Sequence, residues 1–192
     1  MSEYTAILLA AGSGSRFDPL GIRNKLLQPL HDGTAVAVTA AANLLAIMPR
    51  VLAVVRPDAS QLRAELRAIG CEVTTCAEAV EGMGASLSHA VQHSGDAAGW
   101  IVALADMPYI KPATIRALLD ALREGAEIAA PVYKGRRGNP VAFGKVHLPA
   151  LLQLSGDIGA RRLFESFPVR LVEVDDPGIH LDIDRPQDLQ FH

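Results

Sequence analysis

The chain has 192 residues, of which 49% are hydrophobic and 5% aromatic, and its formal net charge is -3. This length suits one globular domain, so residues 1–192 are expected to form a single domain with a full core. The acidic balance argues against a nucleic-acid partner, since such proteins usually carry a basic surface. The first residues lack the basic start of a secretory signal, and no apolar run reaches the roughly 20 residues of a membrane span. We therefore expect a cytoplasmic protein with no membrane partner.

The first half of the chain alternates strand-like and helix-like segments. Residues 4–10, YTAILLA, predict a strand buried on both faces, because the run shows no polar alternation. A glycine-rich loop follows, and then a helix over residues 34–47 that ends before Pro49. The next predicted elements are a strand over 51–55, a helix over 58–70 with Asp58 near its cap, a short strand over 71–76, a helix that begins near Gly84, and a strand over 100–105.

The second half continues the same alternation. Its predicted elements are a helix over 111–125, a strand over 127–133, a tight connection over 134–140, an extended segment over 141–144, helical pieces over 147–154 and 157–167, a strand over 169–174, an extended segment over 179–184, and a helical turn over 185–190. This order predicts a three-layer α/β/α fold around a mostly parallel, Rossmann-like sheet. Ligands of such sheets bind beyond the carboxyl ends of the strands.

The cysteines and one pair of histidines do not predict a disulfide or a zinc site. Cys71 and Cys76 are five residues apart on a predicted strand, so they point to opposite faces, and this geometry argues against a disulfide. They are expected to be small buried hydrophobic residues. His89 and His93 have a zinc-compatible i, i+4 spacing but lack the glutamate of the HExxH motif, so no zinc site is predicted.

The loop after the first strand reads GSGSRF, residues 12–17. A dinucleotide fingerprint requires glycine or alanine in place of Phe17, and a P-loop ends in GK[ST], so the loop matches neither motif. Glycines nonetheless let backbone N–H groups approach a phosphate closely, and Arg16 and Lys25 add positive charge. The alternative is a tight turn with solvated charges. We expect this loop to bind phosphate groups.

Asp106 directly follows the buried strand over 100–105, where an unpaired charge is costly. Mg²⁺ commonly uses one or two carboxylates, with substrate phosphates and water completing its coordination. The alternative role, capping the next helix, is disfavoured because that helix begins later, near Pro112. We expect Asp106 to be a metal ligand.

A second pair of carboxylates, Asp182 and Asp184, flanks Ile183 in an extended segment. Alternation places both carboxylates on one face of that segment. One of them can complete the metal site while the other caps the turn at Pro186. Asp182 is the expected metal ligand of the two.

Three further motifs have both a structural and a functional interpretation. GMGASL, residues 82–87, is either an ordinary helix entry or a nucleotide contact made by its backbone and Ser86. KGRRGNPVAF, residues 134–143, is either a plain hairpin or an acceptor-binding loop. SGDIGARRLF, residues 155–164, places two arginines near a helix start, on a solvated face or toward a ligand.

Taken in order, these motifs closely resemble those of the molybdenum-cofactor nucleotidyltransferases. The resemblance covers nearly the whole chain and rests on LLAAGSGSRF…NKLLQPL, GMGASL, ALADMP, GRRGNPVAFG, GDIGAR and DIDRPQDL. Residues 9–12, Leu-Ala-Ala-Gly, are most similar to the cytidylyltransferase branch, whereas the guanylyltransferase branch usually has Leu-Ala-Gly-Gly. The resemblance implies an α/β fold of the nucleotide-diphospho-sugar transferase type.

The reaction implied by this resemblance joins CMP from CTP to the phosphate of molybdenum-bound molybdopterin and releases pyrophosphate. The implied cofactor is Mg²⁺, and the implied partner is an apoenzyme of the xanthine-dehydrogenase type. Because the attacking phosphate is already an anion, no general base is required, and catalysis reduces to positioning and charge neutralisation. GTP remains the alternative nucleotide.

The resemblance also assigns roles to residues. The catalytic set is Arg16, Lys25 and Asp106. The nucleotide-binding set is Leu9, Ala10, Ala11, Gly12, Ser13, Gly14, Ser15, Arg16, Lys25, Gly84 and Ser86. The metal ligands are Asp106 and Asp182. The acceptor-binding set is Arg137, Gly138, Asn139, Pro140, Asp157, Arg161 and Asp184.

Departures from the family pattern leave two other functions open. Residues 17–23 lengthen the first loop, Asn139 stands where histidine is commoner, and Arg185 stands where threonine is commoner. A nucleotidyltransferase with another phosphorylated acceptor would keep the same loop and metal site. A non-catalytic carrier of the pterin cofactor would not need Arg16, Lys25 and Asp106 together.

Overall fold

The computed structural model describes residues 3–12, 14–18, 20, 23–156 and 160–190, with only the backbone at 161, 162 and 190. Within these residues eight strands form one sheet: β1 (Thr5–Ala10), β2 (Val51–Val55), β3 (Glu72–Thr75), β4 (Gly99–Leu104), β5 (Ile128–Tyr133), β6 (Arg136–Arg137), β7 (Val141–Gly144) and β8 (Arg170–Glu173). The α-helices are α1 (Val36–Leu45), α2 (Ser60–Ala68), α3 (Met83–His93), α4 (Pro112–Arg123), α5 (Leu148–Leu152) and α6 (Arg161–Ser166).

The sheet is mostly parallel, as predicted. Its strand order is β3-β2-β1-β4-β7-β5-β6, and β8 pairs with β5 in parallel. Strands β1, β2, β3 and β4 are parallel neighbours, whereas β7 runs antiparallel to both β4 and β5. Because β7 is the single reversed strand between them, β4 and β5 point the same way, and their carboxyl ends lie on one side of the molecule.

Two apolar clusters cover the two faces of the sheet. Side chains alternate along β1, so that Leu8 packs in one cluster and Ile7 in the other. The first cluster takes residues from α1, α2 and α4, and the second from α3, α5 and α6. This is the predicted three-layer α/β/α arrangement. No helix among the described residues is long and apolar enough to cross a bilayer.

The sequence misplaced some element ends. The helix predicted over 58–70 spans Ser60–Ala68, with Ala59 at its N-cap position and Asp58 next to it, as expected. The segment predicted as extended over 179–184 begins with a 3-10 helix, Pro177–His180. Both differences arise at polar turns, where apolar periodicity gives no boundary signal.

The start of α4 is capped by a residue that lies far along the chain. The N-cap position, Lys111, makes no side-chain capping bond. Asp176 supplies the carboxylate instead: its Oδ2 accepts from Lys111 N at 2.8 Å and from Thr114 Oγ1 at 2.6 Å, and its Oδ1 accepts from Gly178 N at 2.9 Å. Asp176 is 1% exposed, so three donors compensate its burial.

His147 is a buried titratable group at the opposite side of the sheet from Asp176. Its ring packs against Phe143 and Phe167, and its Nε2 has no hydrogen-bond partner among the described residues. Glu127 Oε2 is 3.7 Å away. Burial lowers the pKa of His147, and the charge of Glu127 opposes this effect only in part.

This environment makes the free energy of unfolding depend on pH. An unfolded histidine titrates near pH 6.5, and the folded pKa lies below that value, so the unfolded chain takes up the proton first. Stability is therefore complete above about pH 6.5 and is lost as pH falls through that value towards the folded pKa. Replacing His147 by glutamine is expected to flatten this loss, measured as melting temperature against pH.

His89 also contributes to the pH dependence of stability, because burial lowers its pKa as well. It contributes the same sign of pH dependence to both proteins, so the difference between them isolates His147. Identical slopes in the wild type and in His147→Gln would contradict the interpretation.

Candidate active site

The loop after β1 is shaped by a glycine and an aspartate. Gly14 has φ +65°, a conformation that side chains rarely adopt, and its carbonyl accepts from Phe17 N at 2.9 Å. The carboxylate of Asp18 accepts from Leu20 N at 3.0 Å and from Arg23 N at 2.7 Å. Asp18 thus bonds to two other described residues of the longer loop.

Lys25 is held in place by the residue before it. Asn24 is the N-cap of the 3-10 helix Lys25–Leu27, and its Oδ1 accepts from Leu26 N at 3.0 Å. The side chain of Lys25 is only 11% exposed, and its Nζ lies 2.6 Å from Asp106 Oδ2 and 3.6 Å from Asp184 Oδ1. The ammonium group therefore bridges two carboxylates that come from distant parts of the chain.

Asp106 is fixed through its neighbours on both sides. β4 ends at Leu104, and the N–H of Ala105 donates to Leu9 O of β1 at 3.0 Å. The N–H of Ile183 donates to the carbonyl of Asp106 at 2.8 Å. These bonds hold the Asp106 backbone between β1 and the segment after β8, while its carboxylate faces Lys25.

Asp184 completes the group of charges. It forms an ion pair with Arg16 in addition to its contact with Lys25. Loss of solvation raises the pKa of Asp182, and the charges of Asp184 and Asp106 raise it further. Asp182 forms no ion pair within the described part of the chain. The contacts of Lys25 therefore favour Asp184 over Asp182 as the partner of Asp106.

These charges line a cavity of about 540 Å³. Its other side is formed by the 3-10 helix Ala77–Glu81 and the first turns of α3. A side chain built on Gly12 would meet nothing within 4 Å, so the backbone of this residue faces open space that a phosphate oxygen can occupy. Cavities of this size accommodate small-molecule ligands.

The structure brings ten of the sequence-predicted site residues together at this cavity. They are Leu9, Ala11, Gly12, Gly14, Ser15, Arg16, Lys25, Ser86, Asp106 and Asp184. Ser13 and Asp157 lie outside the described residues, and Arg161 is described only as the first residue of α6. The remaining predicted residues lie apart from the cavity lining: Ala10, Gly84, Asp182, Arg137, Gly138, Asn139 and Pro140.

Two residues that were predicted to bind the nucleotide, Ala10 and Gly84, pack against other parts of the protein instead. Ala10 points to the opposite face of β1 from Leu9 and packs in the cluster with α1. A side chain on Gly84 would lie 2.8 Å from the carbonyl oxygens of Ser155 and Gly156. Gly84 therefore permits close approach between α3 and that loop.

The predicted acceptor loop forms a separate, tightly packed region. The guanidinium of Arg137 lies 4.4 Å above the ring of Phe164. Gly138 has no room for a side chain, because a Cβ would lie 2.4 Å from Ile179 O, and Asn139 N donates to that same carbonyl at 3.2 Å. Pro140 is buried. The loop is thus attached to the segment that leads to Asp184.

Eight residues of the cavity lining were not among the predicted site residues: Arg56, Phe17, Leu26, Ala79, Val80, Gly82, Met83 and Leu104. Arg56 is the first residue after β2, and Asp106 is the second residue after β4, so both lie at the carboxyl ends of neighbouring parts of the sheet. Arg56 could have been predicted, because a basic residue directly after a buried strand lies where ligands of such sheets bind. The other seven are apolar residues or glycine, whose side chains give no chemical signal.

The donor atoms at Lys25 fit a hard divalent cation. Asp106 Oδ2 and Asp184 Oδ1 both lie within 4 Å of the same ammonium nitrogen, so the two carboxylates face one position that a positive charge already occupies. Carboxylate oxygens without sulfur or imidazole ligands suit Mg²⁺ or Mn²⁺. The residues present therefore fit the expected metal.

Comparisons with known proteins identify relatives of this chain. A curated relative, the purine catabolism protein PucB of Bacillus subtilis (strain 168), is 28% identical over 95% of this chain and 92% of its own. Among solved structures, Rv0371c from Mycobacterium tuberculosis H37Rv is 29% identical, with a TM-score of 0.83 over 97% of this chain and 95% of that one. The same Mycobacterium tuberculosis protein, solved in complex with manganese, is 28% identical, with a TM-score of 0.77 over 97% of this chain and 96% of that one.

A nucleotidyl transferase from Methanothermobacter thermautotrophicus, Mth528, is 25% identical, with a TM-score of 0.78 over 97% of this chain and 94% of that one. The family model that matches this chain is the MobA-like NTP transferase domain, over residues 6–174. That match spans most of the sheet and every strand that carries a cavity residue. The chain belongs to the MobA-like NTP transferase family and is a nucleotidyltransferase of that family.

Proposed function

We propose that this protein transfers CMP from CTP to the phosphate of molybdenum-bound molybdopterin and releases pyrophosphate. The observation that carries the proposal is the group of charges at the cavity, in which Lys25 bridges Asp106 and Asp184 while Arg16 pairs with Asp184. Two cations next to two carboxylates and an open glycine backbone suit a triphosphate with its metal ion. The similarity of residues 9–12 to the cytidylyltransferase branch supports CTP as the nucleotide.

The phosphates of CTP would be bound by the loop after β1. The backbone at Gly12 faces open space, and Arg16 is largely exposed and free to turn towards a ligand because its ion pair with Asp184 lies at the surface. Lys25 is within reach of the same space. These groups neutralise the negative charge that grows on the β-phosphate as pyrophosphate leaves.

The transfer needs no proton from the protein. An oxygen of the molybdopterin phosphate forms a bond to the α-phosphorus, and the bond between that phosphorus and the α–β bridging oxygen breaks, so that pyrophosphate leaves with the electron pair. The attacking oxygen is already anionic, so no side chain must act as a base. This is consistent with a cavity whose charged groups, in the described chain, are arginine, lysine and aspartate.

Asp106 and Asp184 are the proposed ligands of a Mg²⁺ ion, which would neutralise phosphate charge when bound. The acceptor pterin would lie towards Arg137 and Asn139, whose loop is bonded to the segment that carries Asp184. The product would serve an apoenzyme of the xanthine-dehydrogenase type, as expected from the family resemblance.

The test uses the full-length protein with Mg²⁺, molybdenum-bound molybdopterin and CTP labelled at the α-phosphate. The expected result is a labelled cytosine dinucleotide together with pyrophosphate, and a parallel reaction with labelled GTP is expected to give much less product. Chelation of divalent ions should stop the transfer.

Other outcomes identify which part of the proposal is wrong. Transfer from GTP alone would overturn the assignment of the base. Label that appears on a sugar phosphate, and not on molybdopterin, would overturn the acceptor. Tight binding of CTP and pterin with no transfer would show a carrier.

A further inference from the structure

A second group of potential metal ligands lies behind the cavity wall. Cys76, at the end of β3, Glu78, in the 3-10 helix Ala77–Glu81, and His89, on α3, each place one ligand atom within 4.8 Å of the other two. The Cys76 side chain is 1% exposed, and its Sγ lies 3.6 Å from Glu78 Oε2. These residues share no atom with the group around Lys25.

The distances between these three ligand atoms are close to those between the ligands of a bound metal ion. Bonds of about 2.0–2.3 Å in a tetrahedral zinc site place its ligand atoms roughly 3.3–3.8 Å apart. The cluster meets this range with side-chain shifts of about an ångström or less. Glu78 is exposed and can make such a shift, while the buried Cys76 stays in place.

The position of the imidazole is already fixed by its neighbours. Thr74 Oγ1 lies 2.9 Å from His89 Nε2, and the ring of His93 lies 4.2 Å from that of His89 between centroids. Nδ1 of His93 bonds to the His89 carbonyl at 2.9 Å, so that nitrogen faces away from the cluster. Contacts of this kind hold a ligating histidine ring in one orientation.

The chemistry of the donors differs from that of the active site. One sulfur, one imidazole nitrogen and one carboxylate oxygen suit Zn²⁺ and its close relatives, whereas an all-oxygen site suits Mg²⁺. Three protein ligands leave a fourth position for water. The chain thus offers one place for a hard cation and another for a softer one.

We propose that Cys76, Glu78 and His89 form a second metal site, specific for Zn²⁺-class ions, which fixes the wall of the nucleotide cavity. The 3-10 helix Ala77–Glu81 carries Glu78 to this site and carries Ala79 and Val80 to the cavity. An ion bound there joins this helix to β3 and α3. It therefore limits the movement of a wall that the nucleotide contacts.

Co²⁺, a spectroscopic substitute for Zn²⁺, tests the site directly. Full-length protein is freed of metal with a chelator, kept under reducing and oxygen-free conditions, and supplied with excess Mg²⁺ to occupy the carboxylate site. Titration with Co²⁺ is expected to produce a thiolate-to-cobalt charge-transfer band that saturates at one ion per chain. Zn²⁺ added afterwards should abolish the band.

The chain offers a matched control for the cysteine. Cys71 is also buried and free, but it packs in the cluster on the opposite face of the sheet. Cys76→Ser should abolish the band, while Cys71→Ser should keep it. Glu78→Gln alters an exposed residue, so the chain is expected to fold normally and to bind Co²⁺ more weakly. A wild-type protein without the band, or a band lost with Cys71→Ser and kept with Cys76→Ser, would overturn the site.

A second measurement tests the effect on the wall, and this part alone rests on the proposed nucleotide function. CTP affinity in the presence of Mg²⁺ is measured with and without one equivalent of Zn²⁺. A wall that is already ordered binds more tightly, and we expect a gain of about fivefold, at the low end of typical coupling between two sites. The same Zn²⁺ should leave the affinity of Cys76→Ser unchanged.

The outcomes of the two measurements are separable. Equal CTP affinity with and without Zn²⁺ in a wild type that shows the cobalt band would overturn the coupling and leave the metal site in place. Absence of CTP binding under every condition would contradict the nucleotide proposal, and the cobalt band would still decide the second site.

Discussion

Replacement of Asp106 by asparagine is expected to slow nucleotidyl transfer by about a thousandfold. The amide keeps the shape of the side chain but loses the charge that faces Lys25 at 2.6 Å and that the proposed Mg²⁺ requires. Metal ions contribute several kcal/mol of charge stabilisation in such reactions, and about 4 kcal/mol corresponds to three powers of ten in rate. The measurement is kcat with saturating CTP and Mg²⁺.

The same variant should separate catalysis from binding. Arg16 and Lys25 remain, so the affinity for CTP is expected to change far less than kcat. Asp120→Asn is a suitable control, because this half-exposed aspartate lies away from the cavity lining and pairs with Arg123 on α4. Asp120→Asn should retain full activity. An Asp106→Asn protein with wild-type kcat would exclude the proposed role.

Replacement of Asp176 by alanine is expected to cost about 3–5 kcal/mol of unfolding free energy. It leaves Lys111 N, Thr114 Oγ1 and Gly178 N without their shared acceptor in a site that is 1% exposed. For a chain of this size each kcal/mol lowers the melting temperature by about 2–4 °C, so a fall of roughly 6–20 °C is expected in calorimetry.

The neighbouring residue provides the control for this change. Asp175 is exposed, and only its backbone carbonyl bonds to Lys111 Nζ. Asp175→Ala should therefore stay within about 0.5 kcal/mol of the wild type, as surface substitutions usually do. Asp176→Asn keeps one acceptor oxygen and should lie between the two. Equal melting temperatures for Asp176→Ala and Asp175→Ala would refute the capping role.

The fold could be predicted from the sequence because the apolar runs of the strands and the residues that end the helices are clear. The buried run of β1 and the strand that ends before Asp106 have no polar alternation, which predicts buried strands. Glycine and proline mark the ends of the helices between them. The rule that ligands bind beyond the carboxyl ends of parallel strands then brought Arg16, Lys25 and Asp106 to one place. The structure agrees with this placement.

The remaining features depend on contacts that no local pattern encodes. Asp182 and Asp184 are equivalent by alternation, and only the folded position of their segment, where Ile183 N donates to Asp106 O, brings Asp184 to Lys25. The capping of α4 by Asp176 joins residues 65 positions apart. The grouping of Cys76 with His89 also depends on how α3 packs, which the i, i+4 spacing of His89 and His93 does not encode.

The ion pair between Arg16 and Asp184 joins residues separated by 168 positions, and that between Lys25 and Asp106 spans 81. Closing loops of this length costs conformational entropy, so both ion pairs need distant parts of the chain to be in place. A partly folded chain that has paired β1 with β2 and β4, but has not docked the segment after β8, lacks Asp184 and is therefore without half of the charge centre. The ability to bind a triphosphate thus reports on completion of the whole tertiary structure, and a bound nucleotide would protect the native chain alone by mass action.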